Sequence, residues 1–176
     1  GASRLGGAAI FGFSAVLYIY GAYTGLISFD NTPSSPLIAW VTVFVCMSLG
    51  LIDDLKSNLL SPKVRLICIV VVFSLCLGFV PTLIPDKLGI LGIDHLLAVP
   101  ILGWLITILF CTGFVNAVNM ADGANGLIPG TLSIAFLLFY METNFPIYAI
   151  LLTTCSLFTV FNIISGRLFL GDAGAY

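Results

Sequence analysis

The chain has 176 residues, 60% of them hydrophobic and only 8% charged, with a formal net charge of −2. A soluble domain carries roughly 25% charged residues, so this composition excludes a water-covered globule and marks a membrane protein. The charge is near neutral and no basic run occurs, which gives no ground for a nucleic-acid partner.

Charged residues and the single histidine divide the chain into uncharged stretches at 5–29, 31–52, 66–85, 96–121, 123–141 and 143–166. Each approaches or exceeds the roughly 20 residues that a bilayer-spanning helix needs. The expected architecture is an all-α polytopic bundle forming one integral membrane domain over 1–176. Six spans are expected near 6–27, 37–52, 64–82, 97–118, 127–141 and 146–164, the second and fifth of them short. The first is too long for a secretory signal and lacks its basic start and cleavage site. The chain begins without Met and stops at Gly-Asp-Ala-Gly-Ala-Tyr, as expected of a piece of a longer protein cut at both ends.

Polar motifs lie where the spans end. Arg4-Leu5-Gly6-Gly7 opens the first span with a cation and a small-residue surface, fit to border a phosphate or a neighbouring helix. A simple positive anchor is the plainer alternative. Asp53-Asp54 follows the second span, with Lys56 and Lys63 nearby. Adjacent ionised carboxylates repel unless a divalent cation or basic neighbours compensate them. Oxygen-only ligands suit Mg²⁺, which also binds substrate phosphates; two solvated acids at a span end are the alternative. His95 and the five cysteines read as a loop residue and as small apolar residues.

Residues 116–127 form a polar island in which Asn116, Asn119 and Asp122 recur every third position, with Gly123 and Gly126 following. On a helix these three side chains fall within about 120° of arc. Amides suit a nucleobase edge or ribose, and glycine lets backbone approach a ligand closely. The final motif, 166–176, places Arg167, Phe169 and Asp172 among glycines, offering another carboxylate and a flat surface for a base. A helix cap and a helix-terminal loop are the plainer readings of these two strings.

Alternating spans put Arg4, Lys56, Lys63, Arg65 and Arg167 on one side and Lys87 on the other, so the first side is expected to be cytoplasmic. Asp53, Asp54, Asp122 and Asp172 share that side, and three separate loops contribute them. Turn formers such as Asn31-Thr32-Pro33 mark the opposite loops as connectors.

Together, Arg4–Gly7, Asp53–Lys56, Asn116–Leu127 and Phe169–Gly174 resemble the motifs of the polyprenyl-phosphate N-acetylhexosamine-1-phosphate transferases, glycosyltransferase family 4. The resemblance implies a multi-pass enzyme of the bacterial inner membrane with a cytoplasmic site. Such an enzyme transfers a sugar-1-phosphate from a UDP-N-acetylhexosamine to polyprenyl (undecaprenyl) phosphate, releasing UMP, with Mg²⁺ as cofactor. It implies Asp172 as direct metal ligand, with Asp53 and Asp54 serving the metal and the acceptor phosphate. Asn119, Asp122 and Phe169 would line the uridine pocket with Asn116 in support, and Asp122 is also a catalytic candidate. Lys56, Lys63 and Arg167 are available to neutralise phosphate charge.

An N-acetylglucosamine-type donor for envelope polysaccharide such as O-antigen lipopolysaccharide is the expected substrate, with a phospho-N-acetylmuramoyl-pentapeptide as the alternative. A homodimer is left open. Two departures are expected to matter: Asn125 stands where many members carry an acid, and the family's downstream His motif is missing, so the fragment alone is expected to be inactive. A transporter is the contrasting class, but transporter sites sit near the bilayer midplane and these span interiors contain no acid. A non-catalytic membrane subunit would not need three loops of metal-suited carboxylates.

Overall fold

The computed structural model describes residues 4–27, 36–56 and 60–175. Eight helices occur among them: α1 (Gly6–Tyr23), α2 (Pro36–Leu55), α3 (Pro62–Phe79), α4 (Ile93–Leu97), α5 (Pro100–Ala121), α6 (Leu127–Thr143), α7 (Pro146–Ser165) and α8 (Asp172–Ala175). Helices α1, α2, α3, α5 and α7 are long and apolar enough to cross a membrane, and α6 is a shorter apolar helix of 17 residues. The expected all-α bundle is the architecture found.

Local chemistry sets the helix boundaries. Pro62, Pro100 and Pro146 open α3, α5 and α7, where a missing N–H costs no helical hydrogen bond. At α3 the Ser61 hydroxyl also accepts from the Val64 N–H at 3.3 Å. Helices α6 and α7 end on Asn144 and Gly166, both left-handed with φ of 56° and 57°. Several hydroxyls within the spans satisfy themselves one turn back, as Thr42 does on Ile38 O and Ser74 on Val70 O, which spares those donors from meeting lipid bare.

Several boundaries differ from the sequence expectation. Helix α1 stops at Tyr23, because Gly25 turns with φ 72° and Ile27 folds back, donating its N–H to Gly21 O. Helix α2 is a full 20 residues and continues through the acidic pair, so Asp53 and Asp54 lie on its last turn and not in a loop. Helix α5 starts later and runs to Ala121, which brings Asn119 as well as Asn116 into the helix. The connector Asn31-Thr32-Pro33 lies outside the described residues.

Helices α6 and α7 form a hairpin, α1 packs on α7, and α3 lies between α2 and α5. The short α8 turns back against α1 and α2. This return explains Arg4–Gly7. Helix α1 has no side-chain cap; instead the Gly6 and Gly7 N–H groups donate to Phe169 O and Leu170 O at 3.0 and 2.8 Å, satisfying donors a helix start leaves open. A β-carbon on Gly7 would overlap the Ala173–Gly174 backbone, and one on Gly50 would overlap that of Asp172. Leu170 is buried with Ile128 and Phe158, anchoring the returning segment in the α6–α7 hairpin.

Candidate active site

The returning segment closes a cavity of about 560 Å³ at the bundle end where α1 begins and α2, α5 and α7 finish. Its polar lining comprises Arg4, Asp54, Asn119, Asp122, Asn125, Asn162 and Asp172, with Phe169 contributing an aromatic surface. Segments that are far apart in sequence therefore meet in one place.

The adjacent acids of α2 do different things, as neighbours on a helix must, since they point about 100° apart. Asp53 is 5% exposed and does not line the cavity. Its Oδ1 accepts from the Leu60 N–H at 3.1 Å and its Oδ2 from Arg65 Nη1 at 2.9 Å. The same Arg65 nitrogen donates to Asp172 Oδ2 at 2.8 Å, so one guanidinium ties α2, α3 and α8 together. Asp54 lines the cavity; its Oδ2 accepts from the Ala173 N–H at 3.0 Å, while its Oδ1 is buried without a hydrogen-bond partner. Gly171, with φ 72°, is required beside it, because a β-carbon there would strike Asp54 Oδ2 and Arg4 O.

Burial, and then the neighbouring acids, raise the proton affinity of Asp172 and Asp122. Asp172 is pushed up to about 6, first by burial, then by its hydrogen bond with Asp53 and the charge of Asp54, against the opposing pull of Arg65. Asp122 is raised by burial and then by Asp54. One arginine thus under-compensates the acids. Among the described residues no group of three His, Cys, Asp or Glu side chains is arranged to hold a metal by itself. Mg²⁺ asks less of a protein: one or two carboxylates suffice, with substrate phosphates and water completing its shell. Asp54, with its orphaned oxygen, and Asp172 fit that requirement.

The other sequence-selected residues separate by position. Asn119 and Asp122, the latter capping α5, line the cavity with Phe169. Asn116, one turn earlier, is exposed, does not line the cavity and donates to Met120 Sδ at 3.6 Å. Lys56 and Lys63 are exposed around the α2–α3 connection and do not line the cavity either, whereas Arg4 does. All five cysteines are free, and His95 is exposed on α4. Sequence reasoning passed over Arg65 except as a topology charge, and Asn162 altogether. The available signal for Asn162 was an amide one turn from a span end, in a stretch otherwise built for lipid.

Comparison with known proteins gives the family. Residues 36–176 match the family model described as glycosyl transferase family 4. A phospho-N-acetylmuramoyl-pentapeptide-transferase of Anoxybacillus flavithermus is 30% identical over 165 residues, covering 85% of this chain and 50% of that protein. Proteins of the same name from Shouchella clausii and Lacticaseibacillus paracasei are 35% and 33% identical, each over 48% of this chain and 31% of their own length. The chain thus spans half or less of these curated relatives. No solved structure matches it. With four-fifths of its length under one family model and the motif residues converging on one cavity, the chain belongs to glycosyl transferase family 4.

Proposed function

We propose that the complete protein transfers phospho-N-acetylmuramoyl-pentapeptide from its uridine nucleotide to polyprenyl phosphate in the membrane, releasing UMP. The observation that carries the transferase reading is the convergence of Asp54, Asp122 and Asp172 with Asn119 and Phe169 around one cavity at a bundle end. The choice of sugar rests on the curated relatives, which bear the muramoyl-pentapeptide name. That shifts the reading away from the N-acetylglucosamine-type donor expected from the sequence.

A lipid phosphate and a pyrophosphate repel each other, so catalysis consists mainly of positioning and charge compensation. In this reading Asn119 and Asp122 hold the uridine, Phe169 stacks against its base, and Arg4 faces the phosphates. Asp54 and Asp172 would hold Mg²⁺, which when bound neutralises charge developing on the transferred phosphoryl group. Asp53 acts from behind the wall by holding Arg65, and through it Asp172. The cavity end carries Arg4, Lys56, Lys63, Arg65 and Arg167, while Lys87 lies toward the other end, which supports a cytoplasmic opening.

The test is UMP release by the complete protein with Mg²⁺ and undecaprenyl phosphate, offered either UDP-N-acetylmuramoyl-pentapeptide or UDP-N-acetylglucosamine. Turnover with the first donor at least tenfold above the second is expected. The reverse preference would restore the glucosamine reading, and no UMP from either would overturn the transferase assignment.

A further inference from the structure

Two loops form walls of the cavity. One runs from Asp122 to Gly126 between α5 and α6, and the other from Gly166 to Gly171 between α7 and α8. The Asn162 side chain joins them. Asn162, 3% exposed on the last turn of α7, accepts from the Gly126 N–H at 2.6 Å through Oδ1. Through Nδ2 it donates to Leu168 O, also at 2.6 Å. Both polar ends of the amide are therefore engaged, one on each wall.

The surroundings leave little choice of residue. Gly126 sits against α7 in the left-handed region with φ 78°, where a β-carbon would strike Ile163. Its N–H opens α6, which has no side-chain cap of its own, so Asn162 from the neighbouring helix supplies the missing acceptor. Leu168 packs on the Ile128–Phe158–Leu170 cluster and stands next to Phe169. Bridging an N–H and a carbonyl at once takes a short side chain carrying one acceptor and one donor on a planar group. Leucine has the shape without the polar atoms, and serine has a single oxygen too short to span both walls.

We infer that Asn162 is a positioning residue that sets the spacing between the wall bearing Asp122 and the wall bearing Phe169 and Asp172. It acts on ligand through these loops. The consequence for nucleotide binding rests on the reading of the cavity given under Proposed function; the clamp itself does not.

Amide hydrogen exchange on the complete protein in detergent, without ligand, tests the clamp directly. Asn162→Leu is expected to raise exchange at least about fivefold in both 123–127 and 167–171, while the interiors of α2, α3 and α5 keep wild-type protection. Asn162→Ser is expected to do the same, and it carries the test if the leucine variant fails to fold. Unchanged exchange in either loop overturns the clamp, as does a rise spread evenly over all helices. UDP titration by calorimetry reads the consequence: about tenfold weaker binding in the variants supports the positioning role. Loops that loosen without any change in UDP affinity overturn that role. Wild-type protein that fails to bind UDP counts against the nucleotide reading of the cavity and leaves the exchange result to decide the clamp.

Discussion

Replacing Asp172 by Asn is expected to lower turnover of the complete enzyme by about a thousandfold or more while leaving its unfolding midpoint within a few degrees of wild type. The amide keeps the size of the carboxyl, and its oxygen can still accept from Arg65, which holds Asp172 at 2.8 Å. What disappears is the charge that the proposed metal needs, and removing electrostatic stabilisation from a phosphoryl-transfer site costs orders of magnitude in rate. Asp54→Asn should behave the same way, since its buried Oδ1 has no protein partner to lose and an amide oxygen can still accept from the Ala173 N–H. Asp53→Asn should differ, because that side chain is buried in ion-pair and backbone hydrogen bonds and its loss lowers the midpoint as well as the rate. UMP release measured alongside thermal unfolding for the three variants checks this. Near-wild-type turnover by the Asp172 variant would contradict the metal assignment.

The second large effect concerns stability. Arg65→Met removes the cation from between Asp53 and Asp172 and leaves Asp53, 5% exposed, without its counter-charge. Breaking a buried pair from one side costs about 3–5 kcal/mol, because the remaining charge stays desolvated. Asp172 is 23% exposed and contributes less to that penalty. Adding Asp53→Asn to Arg65→Met should recover more than half of the loss, since the neutral amide can still accept from the Leu60 N–H. Reversible unfolding of wild type, both single variants and the double variant gives the coupling directly. An Arg65→Met protein as stable as wild type would show that the bridge does not hold α2, α3 and α8 together.

The long apolar helices were legible because lipid imposes a simple rule: uncharged stretches of sufficient length with polar groups only at their ends. The convergence of Asp54, Asp122 and Asp172 was legible for a related reason, as alternating spans bring every second connection to the same face. The division of labour between Asp53 and Asp54 was not, because a dipeptide does not say where the helix stops or which way its last turn faces. Asn116 shows the complementary limit. Its spacing from Asn119 is right for a shared helix face, yet the cavity begins one turn later, at the level set by the returning 168–171 segment. Arg65 and Asn162 escaped notice because each is a lone polar residue near a span end, where anchors and caps are ordinary. Their roles arise from partners 107 and 36 residues away.

The central claim is that the cavity walled by Asp54, Asn119, Asp122, Phe169 and Asp172 holds the uridine diphosphate portion of the donor. The most direct measurement is an experimental structure of the complete protein with UDP and Mg²⁺. The account predicts uracil against the Phe169 ring, within reach of Asn119 and Asp122, and the diphosphate directed toward Asp54, Asp172 and Arg4. A nucleotide bound at the opposite end of the bundle, or metal coordinated away from Asp54 and Asp172, would contradict it.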